Sequence, residues 1–292
     1  MQKSIREQFK ERSGITNYTG LIGSPVSHSS SPVIHEFGFR ELGMDGCAYL
    51  LFDVSEEYTP EAIHELKDLG FTGINVTMPG KSAAARTCDT LSDSARIMES
   101  VNVIKFEDGL IKGCNTDGSG FYRALEANGF EHPGKSMTLL GAGGAARALL
   151  TEGAASGLIR INVFNRPGEN FDKVCELAEK LMKANPGCDV SVSDIDNSEI
   201  LSESIRYSDL LVNATSVGMD GGACPLKDFG GFHSKLFVAD IIYKNPKTAL
   251  LKAAEEMGLK TMNGLPMLFY QADLSFKIWH GVNIPESVYY QI

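Results

Sequence analysis

A glycine turn at residues 141–147 constrains the fold of this chain more than any other feature of its sequence. The apolar run 137–140 ends at G-A-G-G-A-A-R, and alanine-rich sequence of helical character follows. In a strand–turn–helix motif that binds a dinucleotide, the first glycine permits a tight turn and the second lets the backbone approach a pyrophosphate. A small residue then allows the helix to pack on its strand, and the free N–H groups of the first helical turn face the anion. Gly141, Gly143 and Ala146 occupy these three positions, so the turn predicts a dinucleotide site.

The strand expected after this helix supports the same interpretation. A second apolar run, residues 159–164, follows at the distance typical of a βαβ unit and ends at Asn165 and Arg166. In a plain NAD site an acidic residue at this position usually holds the ribose hydroxyls, whereas an arginine can pair with a 2′-phosphate. Arg166 therefore favours NADP over NAD.

Length and charge limit the possible classes of protein. A chain of 292 residues, of which 43% are hydrophobic, can form two domains or one large α/β unit with a substantial core. The 37 acidic and 27 basic residues give a net charge of −10, which disfavours binding to nucleic acids and to anionic membranes. We therefore expect a small molecule as the partner of this protein.

Cysteine and histidine usage indicates a reducing compartment without a metal site. The six cysteines include no C-x-x-C pair, and the six histidines show no metal-ligand spacing on one helix face. Residues 1–14 are polar and charged, and no apolar run reaches the length of a membrane span. We therefore predict a cytoplasmic protein without metal, either a monomer or a homodimer.

Strand-like and helix-like segments alternate along the chain, which is typical of an α/β protein with parallel sheets. Residues 19–77 follow a βαβαβ order, and the chain from residue 137 continues as a doubly wound pattern. The predicted strands are 19–23, 49–54, 73–77, 101–106, 110–113, 137–140, 159–164, one around Val190, 210–213 and 237–240. The predicted helices are 32–42, 60–69, one opening at Lys81, 117–128, 170–184, 199–205, 248–257 and 266–279. A short helical or frayed segment is expected before the first strand, and a short last turn is expected from Pro285.

Proline and glycine residues mark the predicted ends of these elements. Ser31 and Thr59 each precede a proline and are predicted as N-caps, with the proline at the first helical position. Gly43 and Gly70 stand where two helices should end. Gly109 is expected in a hairpin turn, at a position that needs a positive φ.

Four polar clusters fall at the ends of predicted strands, where open α/β sheets bind ligands. They are residues 23–32, residues 75–81, Asn102 and Asp117. Taken singly, each has an ordinary interpretation, since the serines of the first can cap a helix and Lys81 can be a solvated surface residue. A lysine at a helix N-terminus opposes the macrodipole, however, so its placement needs a reason. Together the clusters predict a site for a small polyol.

Lys81 and Asp117 are the candidates for proton transfer at this site. When a secondary alcohol gives a hydride to nicotinamide, a base must take the hydroxyl proton. A lysine with an ordinary pKa of roughly 10.4 is a poor base at neutral pH, but desolvation lowers that pKa and a nearby carboxylate orients the amine. Spacing along the chain leaves open whether the two side chains meet.

The same residues match the motifs of a known family. The chain resembles the shikimate dehydrogenases over residues 19–281, in eight motifs that follow one another in the family's order. They are G-S-P-V-S-H-S-S-S-P-x-x-H (23–35), G-I-N-V-T-M-P-G-K (73–81), V-N (101–102), N-T-D-G (115–118), G-A-G-G-A-A-R (141–147), N-R (165–166), N-A-T-S-V-G-M (213–219) and G-L-P-M-L-F-Y-Q-A (264–272). So many separate motifs in register exclude a chance match.

The resemblance implies a fold, an activity and a set of site residues. It implies an N-terminal α/β substrate domain, residues 1–117 with 264–292, a Rossmann-type dinucleotide-binding domain, residues 118–263, and a cleft between them that closes. The implied activity is the nicotinamide-dependent reduction of 3-dehydroshikimate to shikimate in aromatic amino-acid biosynthesis, with Lys81 and Asp117 as the proton-transfer pair. The implied substrate residues are Ser29, Ser31, Thr77, Asn102, Tyr243 and Gln271. The implied cofactor residues are Gly141, Ala142, Gly143, Gly144, Ala145, Asn165, Arg166, Thr215, Val217 and Gly264.

Several departures from the family's pattern bear on specificity. The family often has N-R-T and a second arginine soon after, whereas here Pro167 and Glu169 follow Arg166 and no second arginine is near. Proline removes a hydroxyl and an N–H, and the glutamate adds negative charge, so use of NAD becomes plausible beside NADP. Val103 also replaces a threonine after Asn102, and Pro266 replaces a common glycine.

The sequence is therefore compatible with three functions. The first is shikimate dehydrogenase, favoured because quinate carries an extra hydroxyl beside its carboxylate and needs more room than Ser29 and Ser31 would leave. The second is a quinate/shikimate dehydrogenase that prefers NAD, favoured by Pro167 and Glu169. The third is a non-catalytic protein that binds shikimate-type metabolites, which the intact Lys81 argues against.

Overall fold

The computed structural model describes residues 2–292, and the chain divides into two compact units. The first unit comprises the residues up to 116 together with 271–292, and the second comprises residues 117–270. Both are α/β units, so the predicted fold class is confirmed. The domain boundaries predicted at residues 117 and 264 stay predictions.

Helices and strands alternate in the first unit up to residue 76, as predicted. Its strands are β1 (Asn17–Gly23), β2 (Cys47–Asp53), β3 (Gly73–Val76), β4 (Thr90–Leu91), β5 (Val103–Glu107) and β6 (Leu110–Cys114). Its helices are α1 (Ile5–Gln8), α2 (Ser31–Glu41), α3 (Thr59–Asp68), α4 (Lys81–Thr87) and α5 (Asp93–Met98).

The first sheet is mixed, with the order β2-β1-β3-β5-β6-β4. β1 runs parallel to β2 and β3, whereas β5 pairs antiparallel with β3 and with β6. The connection between β1 and β3 places both of their carboxyl ends at one edge, because parallel strands end on the same side of a sheet. The residues that follow these two strands are the first two polar clusters.

The second unit has the strand order of a Rossmann fold. Its strands are β7 (Ser136–Leu140), β8 (Arg160–Asn165), β9 (Asp189–Asp194), β10 (Leu210–Asn213), β11 (Phe237–Asp240) and β12 (Lys260–Met262). Its helices are α6 (Asp117–Ala127), α7 (Gly144–Ala155), α8 (Glu169–Ala184), α9 (Ser198–Arg206) and α10 (Ala249–Glu256). The six strands are parallel in the order β12-β11-β10-β7-β8-β9, so the order reverses beside β7, where a dinucleotide binds in such sheets.

A last long helix, α11 (Leu265–His280), begins in the second unit and ends in the first, and a 3₁₀ helix, Glu286–Gln291, follows it. Within the first unit, Trp279 near the end of α11 donates a hydrogen bond from Nε1 to the carbonyl oxygen of Ile104 on β5, at 2.9 Å. Gly73 of β3 lies against the Trp279 indole, so a larger side chain there would collide with it.

The predicted positions of the helix-ending and turn glycines are confirmed, and the two predicted N-caps are wrong. Gly43, Gly70 and Gly109 have φ values of +65°, +76° and +76°, as the ends of helices and the hairpin turn require. Ser31 and Thr59, however, are the first residues of their helices instead of N-caps. The Thr59 hydroxyl donates to the Ser55 carbonyl oxygen at 2.9 Å, because the backbone turns into the helix one residue earlier than the sequence pattern suggests.

None of the helices among residues 2–292 combines the length and the apolar character that crossing a bilayer would require.

Candidate active site

The first two polar clusters lie side by side in the first unit. The N–H of Ser24 donates to the Met78 carbonyl oxygen at 3.0 Å, and the N–H of Thr77 donates to the Ile22 carbonyl oxygen at 2.9 Å. Gly23, with a φ of +152°, lies so close to Thr77 that a β-carbon would overlap its side chain. The end of β1 and the end of β3 are therefore joined into one surface.

The two serines predicted to bind substrate lie at the start of α2. The N–H of Ser31 donates to Ser29 Oγ at 3.2 Å, and the two hydroxyl oxygens are also 3.2 Å apart. Ser30 is the N-cap residue, and its side chain makes no cap hydrogen bond. The first N–H of α2 is therefore satisfied by Ser29 and not by the N-cap residue, so the ordinary interpretation of the cluster, helix capping, applies to the Ser29 hydroxyl.

A buried amide lies behind Thr77. Asn75, in β3, accepts a hydrogen bond at Oδ1 from the Tyr49 hydroxyl at 2.7 Å. Its Nδ2 donates to the Asn102 carbonyl oxygen and to Ser275 Oγ, both at 3.1 Å. Because all of these groups are buried, the amide holds β2, β3 and α11 in one arrangement.

A second set of hydrogen bonds connects Asn102 with Gln271. Asn102 Oδ1 accepts from the N–H of Thr116 at 2.8 Å, and Asn102 Nδ2 donates to Thr116 Oγ1 at 3.1 Å. The Thr116 hydroxyl in turn donates to the Gln271 carbonyl oxygen at 3.2 Å. The structure therefore brings two of the predicted substrate residues into one network within the first unit.

The sequence interpretation missed four members of these networks: Tyr49, Asn75, Thr116 and Ser275. Asn75 and Thr116 stand inside motifs that the sequence already singled out, and Ser275 follows Gln271 by one helical turn, so position alone could have suggested them. No local pattern points to Tyr49, because its partner is 26 residues away in the chain.

The predicted proton-transfer residues each open a helix. Lys81 is the first residue of α4, and its carbonyl oxygen accepts a hydrogen bond from the N–H of Val101 at 3.1 Å. Asp117 is the first residue of α6 and is 8% exposed. Since the two residues belong to different units, their pairing stays a prediction.

The glycine turn has the geometry that an anion site requires. Gly141 has a φ of +111°, and a β-carbon there would lie 2.9 Å from the Ala214 carbonyl oxygen, so only glycine fits without strain. Gly143 is the N-cap of α7 and offers no side-chain cap to the N–H groups of the first turn. β-carbons built at Gly143 and Gly144 meet nothing within 4 Å, so space is open beside these N–H groups. A pyrophosphate fits this arrangement.

A cavity of about 250 Å³ lies in the second unit, and Thr215, one of its lining residues, packs close to Gly141 of this turn. Its walls combine apolar side chains with the predicted cofactor residues at the ends of β8 and β10. The lining residues from these two strand ends are Asn165, Arg166, Thr215 and Val217, and those from the rest of the unit include Ile195, Asp196, Leu201, Leu226 and Lys227. An apolar pocket with a few convergent polar groups is the usual form of a site for a nucleoside.

Glu169, whose negative charge was expected to disfavour a 2′-phosphate, forms an ion pair. Its carboxylate lies 2.6 Å from Lys173 Nζ, one turn further along α8, and this ammonium group lowers the pKa of Glu169. Glu169 is not among the residues that line the cavity, whereas Arg166 is.

Gly264 and Tyr243 lie on neighbouring segments of the second unit. The N–H of Gly264 donates to the Ile242 carbonyl oxygen at 3.0 Å, and a β-carbon at Gly264 would overlap the Ile241 carbonyl oxygen. Tyr243 follows directly, and burial raises the pKa of its hydroxyl. Three segments that carry predicted ligand residues, after β10, after β11 and before α11, therefore belong to the same unit as the cavity.

Comparisons with known proteins agree with the motifs along nearly the whole chain. Residues 21–104 match the family model of the shikimate dehydrogenase substrate binding domain. A shikimate dehydrogenase (NADP(+)) of Alkaliphilus metalliredigens is 38% identical over 275 residues, which are 94% of each chain. A quinate/shikimate dehydrogenase of Escherichia coli is 36% identical over 91% of this chain and 92% of its own.

Solved structures show the same relation. The shikimate 5-dehydrogenase of Listeria monocytogenes, in complex with shikimate and NAD, superposes with a TM-score of 0.91 at 35% identity. The match covers 97% of this chain and 99% of the other.

Proposed function

Because this chain belongs to the shikimate dehydrogenase family, we propose that it interconverts 3-dehydroshikimate and shikimate with a nicotinamide dinucleotide. The observation that carries the proposal is the agreement with a shikimate dehydrogenase (NADP(+)) over 94% of both chains, and Lys81 and Asp117 stand in their motifs. The reaction belongs to the biosynthesis of aromatic amino acids.

The second unit supplies a site that fits the cofactor. The N–H groups at the start of α7 and the glycines of the turn would hold the pyrophosphate, and Asn165 and Arg166, on one wall of the cavity, would face the adenosine ribose. When bound, the cofactor accepts or supplies the hydride. Thr215, Val217, Gly264 and the rest of the 213–219 turn would face the nicotinamide side.

The first unit supplies groups that suit a small carboxylated polyol. Ser29, Ser31, Thr77, Asn102 and Gln271 are the proposed partners of its carboxylate and hydroxyls, and Tyr243 of the second unit is a further proposed substrate residue. The hydrogen bonds between Asn102 and Thr116 support this role, because they hold the Asn102 side chain in a fixed orientation before substrate arrives. Fixed donors and acceptors recognise a polyol without further loss of side-chain entropy.

Lys81 and Asp117 are proposed to move the proton. Oxidation of the alcohol releases a hydroxyl proton that a base has to accept, and in reduction the same group returns it. If so, Lys81→Ala or Asp117→Asn lowers kcat by about 10² to 10⁴, with a smaller effect on cofactor binding. Lys277→Ala, which removes an exposed lysine of α11 in the first unit, is the control and keeps full activity. An unchanged kcat in Lys81→Ala would exclude this role.

The proposed cofactor is NADP, with NAD as the alternative. The Arg166 guanidinium lines the cavity and can pair with a 2′-phosphate, and the Glu169 charge is balanced by Lys173. A quinate/shikimate dehydrogenase with a preference for NAD is the second candidate, because Pro167 and Glu169 follow Arg166 and the second arginine that the family often has is missing. The similarity to the Escherichia coli quinate/shikimate dehydrogenase favours the same candidate.

A steady-state assay that combines shikimate or quinate with NAD or NADP tests both candidates. We expect kcat/KM to be highest for shikimate with NADP. Comparable turnover of quinate with NAD would move the protein to the second candidate. Binding of shikimate by calorimetry without turnover in any combination would contradict both and would indicate a non-catalytic protein that binds the metabolite.

A further inference from the structure

We propose that Asp240, a buried residue to which no sequence motif drew attention, is a positioning residue for the nicotinamide side of the cofactor. It ends β11, is 1% exposed, and lies at the carboxyl edge of the second sheet. The inference rests on the proposed function, because it concerns how the second unit shapes its cofactor site. It is carried by the hydrogen bonds that surround the carboxylate.

The Asp240 carboxylate accepts three hydrogen bonds from three different segments. Oδ1 accepts from the N–H of Ile242 at 3.0 Å, and Oδ2 accepts from Thr248 Oγ1 at 2.8 Å and from Asn213 Nδ2 at 3.1 Å. Thr248 is also the N-cap of α10, where its oxygen accepts from the N–H of Leu251. One carboxylate therefore connects the end of β10, the segment after β11 and the start of α10.

Asp240 and the backbone of the following turn together fix which way the Asn213 amide faces. An ionised carboxylate only accepts hydrogen bonds, so the NH₂ group of Asn213 has to face it and the amide oxygen has to face the other way. That oxygen accepts from the N–H and from the hydroxyl of Thr215, at 3.1 and 2.7 Å. The second proton of Nδ2 goes to the Val217 carbonyl oxygen at 3.1 Å. All donors and acceptors of this amide are used.

The turn that the Asn213 amide holds is part of the cofactor cavity. Thr215 and Val217 both line it, and the Thr215 hydroxyl also accepts from the N–H of Val217 at 3.1 Å. Through Ile242, the same carboxylate fixes the backbone that receives the N–H of Gly264. Through these hydrogen bonds Asp240 holds in place the segments that are proposed to face the nicotinamide.

Burial raises the pKa of the Asp240 carboxyl, and its hydrogen bonds from Asn213, Ile242 and Thr248 oppose that shift. Burying a carboxylate without such partners is unfavourable. The three donors around Asp240 require acceptors at both carboxylate oxygens, and a neutral amide of the same size offers only one oxygen.

The variant Asp240→Asn tests this requirement at nearly constant volume. An amide has a single oxygen, so it cannot accept at both of the positions that the carboxylate oxygens occupy. Either the N–H of Ile242 or the pair formed by Asn213 and Thr248 then faces an NH₂ group. The turn has to shift in either case.

Asp209→Asn is the matched control, because Asp209 stands at the opposite edge of the same sheet. Its carboxylate accepts from the N–H and the hydroxyl of Ser136, at 2.9 and 3.0 Å, just before β10 begins. The substitution breaks a comparable set of hydrogen bonds far from the cavity, so it is expected to lower stability without changing the cofactor site.

Both variants are compared with the unaltered protein in three measurements. They are kcat and KM for shikimate with NADP, the primary isotope effect with shikimate deuterated at the oxidised carbon, and the fluorescence of NADPH titrated with the protein alone. A displaced nicotinamide lowers kcat by about 10²-fold, since a misplacement on the order of 1 Å has this effect. We expect this loss in Asp240→Asn with KM for shikimate little changed, a larger isotope effect on kcat and an altered emission of bound NADPH. Asp209→Asn should match the unaltered protein in all three.

The proposal is overturned if kcat and the NADPH emission of Asp240→Asn equal those of the unaltered protein, or if Asp209→Asn shows the same losses. If the unaltered protein does not oxidise shikimate, the proposed function fails, while the NADPH emission still tests Asp240.

If Asp240→Asn does not fold, Thr248→Val replaces it, since it removes one donor to Oδ2. Thr248→Val should lower kcat on the order of tenfold, and Thr248→Ser, which keeps the hydroxyl, should restore it. Equal kcat in the two threonine variants would also refute the proposal.

Discussion

His35 should make the first unit sensitive to acid, although it lies outside every proposed site role. Its ring is fully buried, stacked on Tyr49 with centroids 4.2 Å apart and close to Phe276 and Trp279. Neither ring nitrogen has a hydrogen-bond partner among the described residues. Burial, and secondarily the charge of His280, lower the pKa of His35 from 6.5 to about 3.

The direction of the effect follows from proton binding in the two states. Between these pKa values the unfolded chain binds a proton at His35 and the folded protein does not, so the free energy of unfolding falls as the pH falls through that window. The slope for one proton is about 1.4 kcal/mol per pH unit. From pH 7 to pH 5, His35 should therefore cost about 2 kcal/mol of stability. Burial lowers the pKa of His280 as well, to about 4, so it acts in the same direction with a smaller effect because it is partly exposed.

His35→Phe removes the proton and keeps an aromatic ring in the stack. The larger ring can change the stability at pH 7 by itself, so the informative quantity is the difference between pH 7 and pH 5. We expect that difference to be smaller by about 2 kcal/mol in the variant. Urea unfolding followed by the fluorescence of Trp279, the only tryptophan in the chain, measures it directly within the first unit.

His64→Phe, on the exposed face of α3, is the control and should keep the pH dependence of the unaltered protein. The reasoning would be refuted if His35→Phe lost as much stability between pH 7 and pH 5 as the unaltered protein does.

Two further predictions concern the cofactor site. Gly141→Ala forces a β-carbon against Ala214 at a φ of +111° and should destabilise the second unit by about 1–3 kcal/mol, whereas Gly143→Ala, which meets nothing in the protein, should fold normally and bind NADPH more weakly. Thermal unfolding and NADPH titration separate the two effects, and weaker folding of Gly143→Ala would contradict the expectation. Lys173→Ala leaves the Glu169 charge unbalanced and should raise the Kd for NADP by up to about fivefold, with no change for NAD and less effect in high salt. An equal change for both cofactors would show that the pair does not act on the 2′-phosphate.

Local rules predicted the elements that local chemistry determines. The glycine turn and Gly109 were placed correctly, because a positive φ or a close backbone approach is a property of a few consecutive residues. The α/β class followed from the alternation of strands and helices. The N-caps at Ser31 and Thr59 were wrong, since the residue at which a backbone enters a helix depends on what the preceding loop contacts.

Contacts between distant segments could not be predicted. Asn75 and its partner Ser275 are 200 residues apart, and the antiparallel pairing of β5 with β3 has no signature in either strand. The ion pair of Glu169 was not foreseen for a related reason. Its partner Lys173 lies at the helical spacing i+4, but whether a side chain lines a cavity depends on the folded surface, and Glu169 does not.

In both units a buried asparagine amide holds the segment that follows a strand. Asn75 in the first unit and Asn213 in the second are buried amides near strand ends, and each both accepts and donates hydrogen bonds across neighbouring segments. An amide suits this position because it presents an acceptor and two donors in one plane, which neither a carboxylate nor a hydroxyl can do. In each case an acceptor fixes which way the amide faces, the Asn102 carbonyl oxygen for Asn75 and the Asp240 carboxylate for Asn213. The turns that carry the proposed ligand residues are therefore held in place by buried groups that need not touch the ligand.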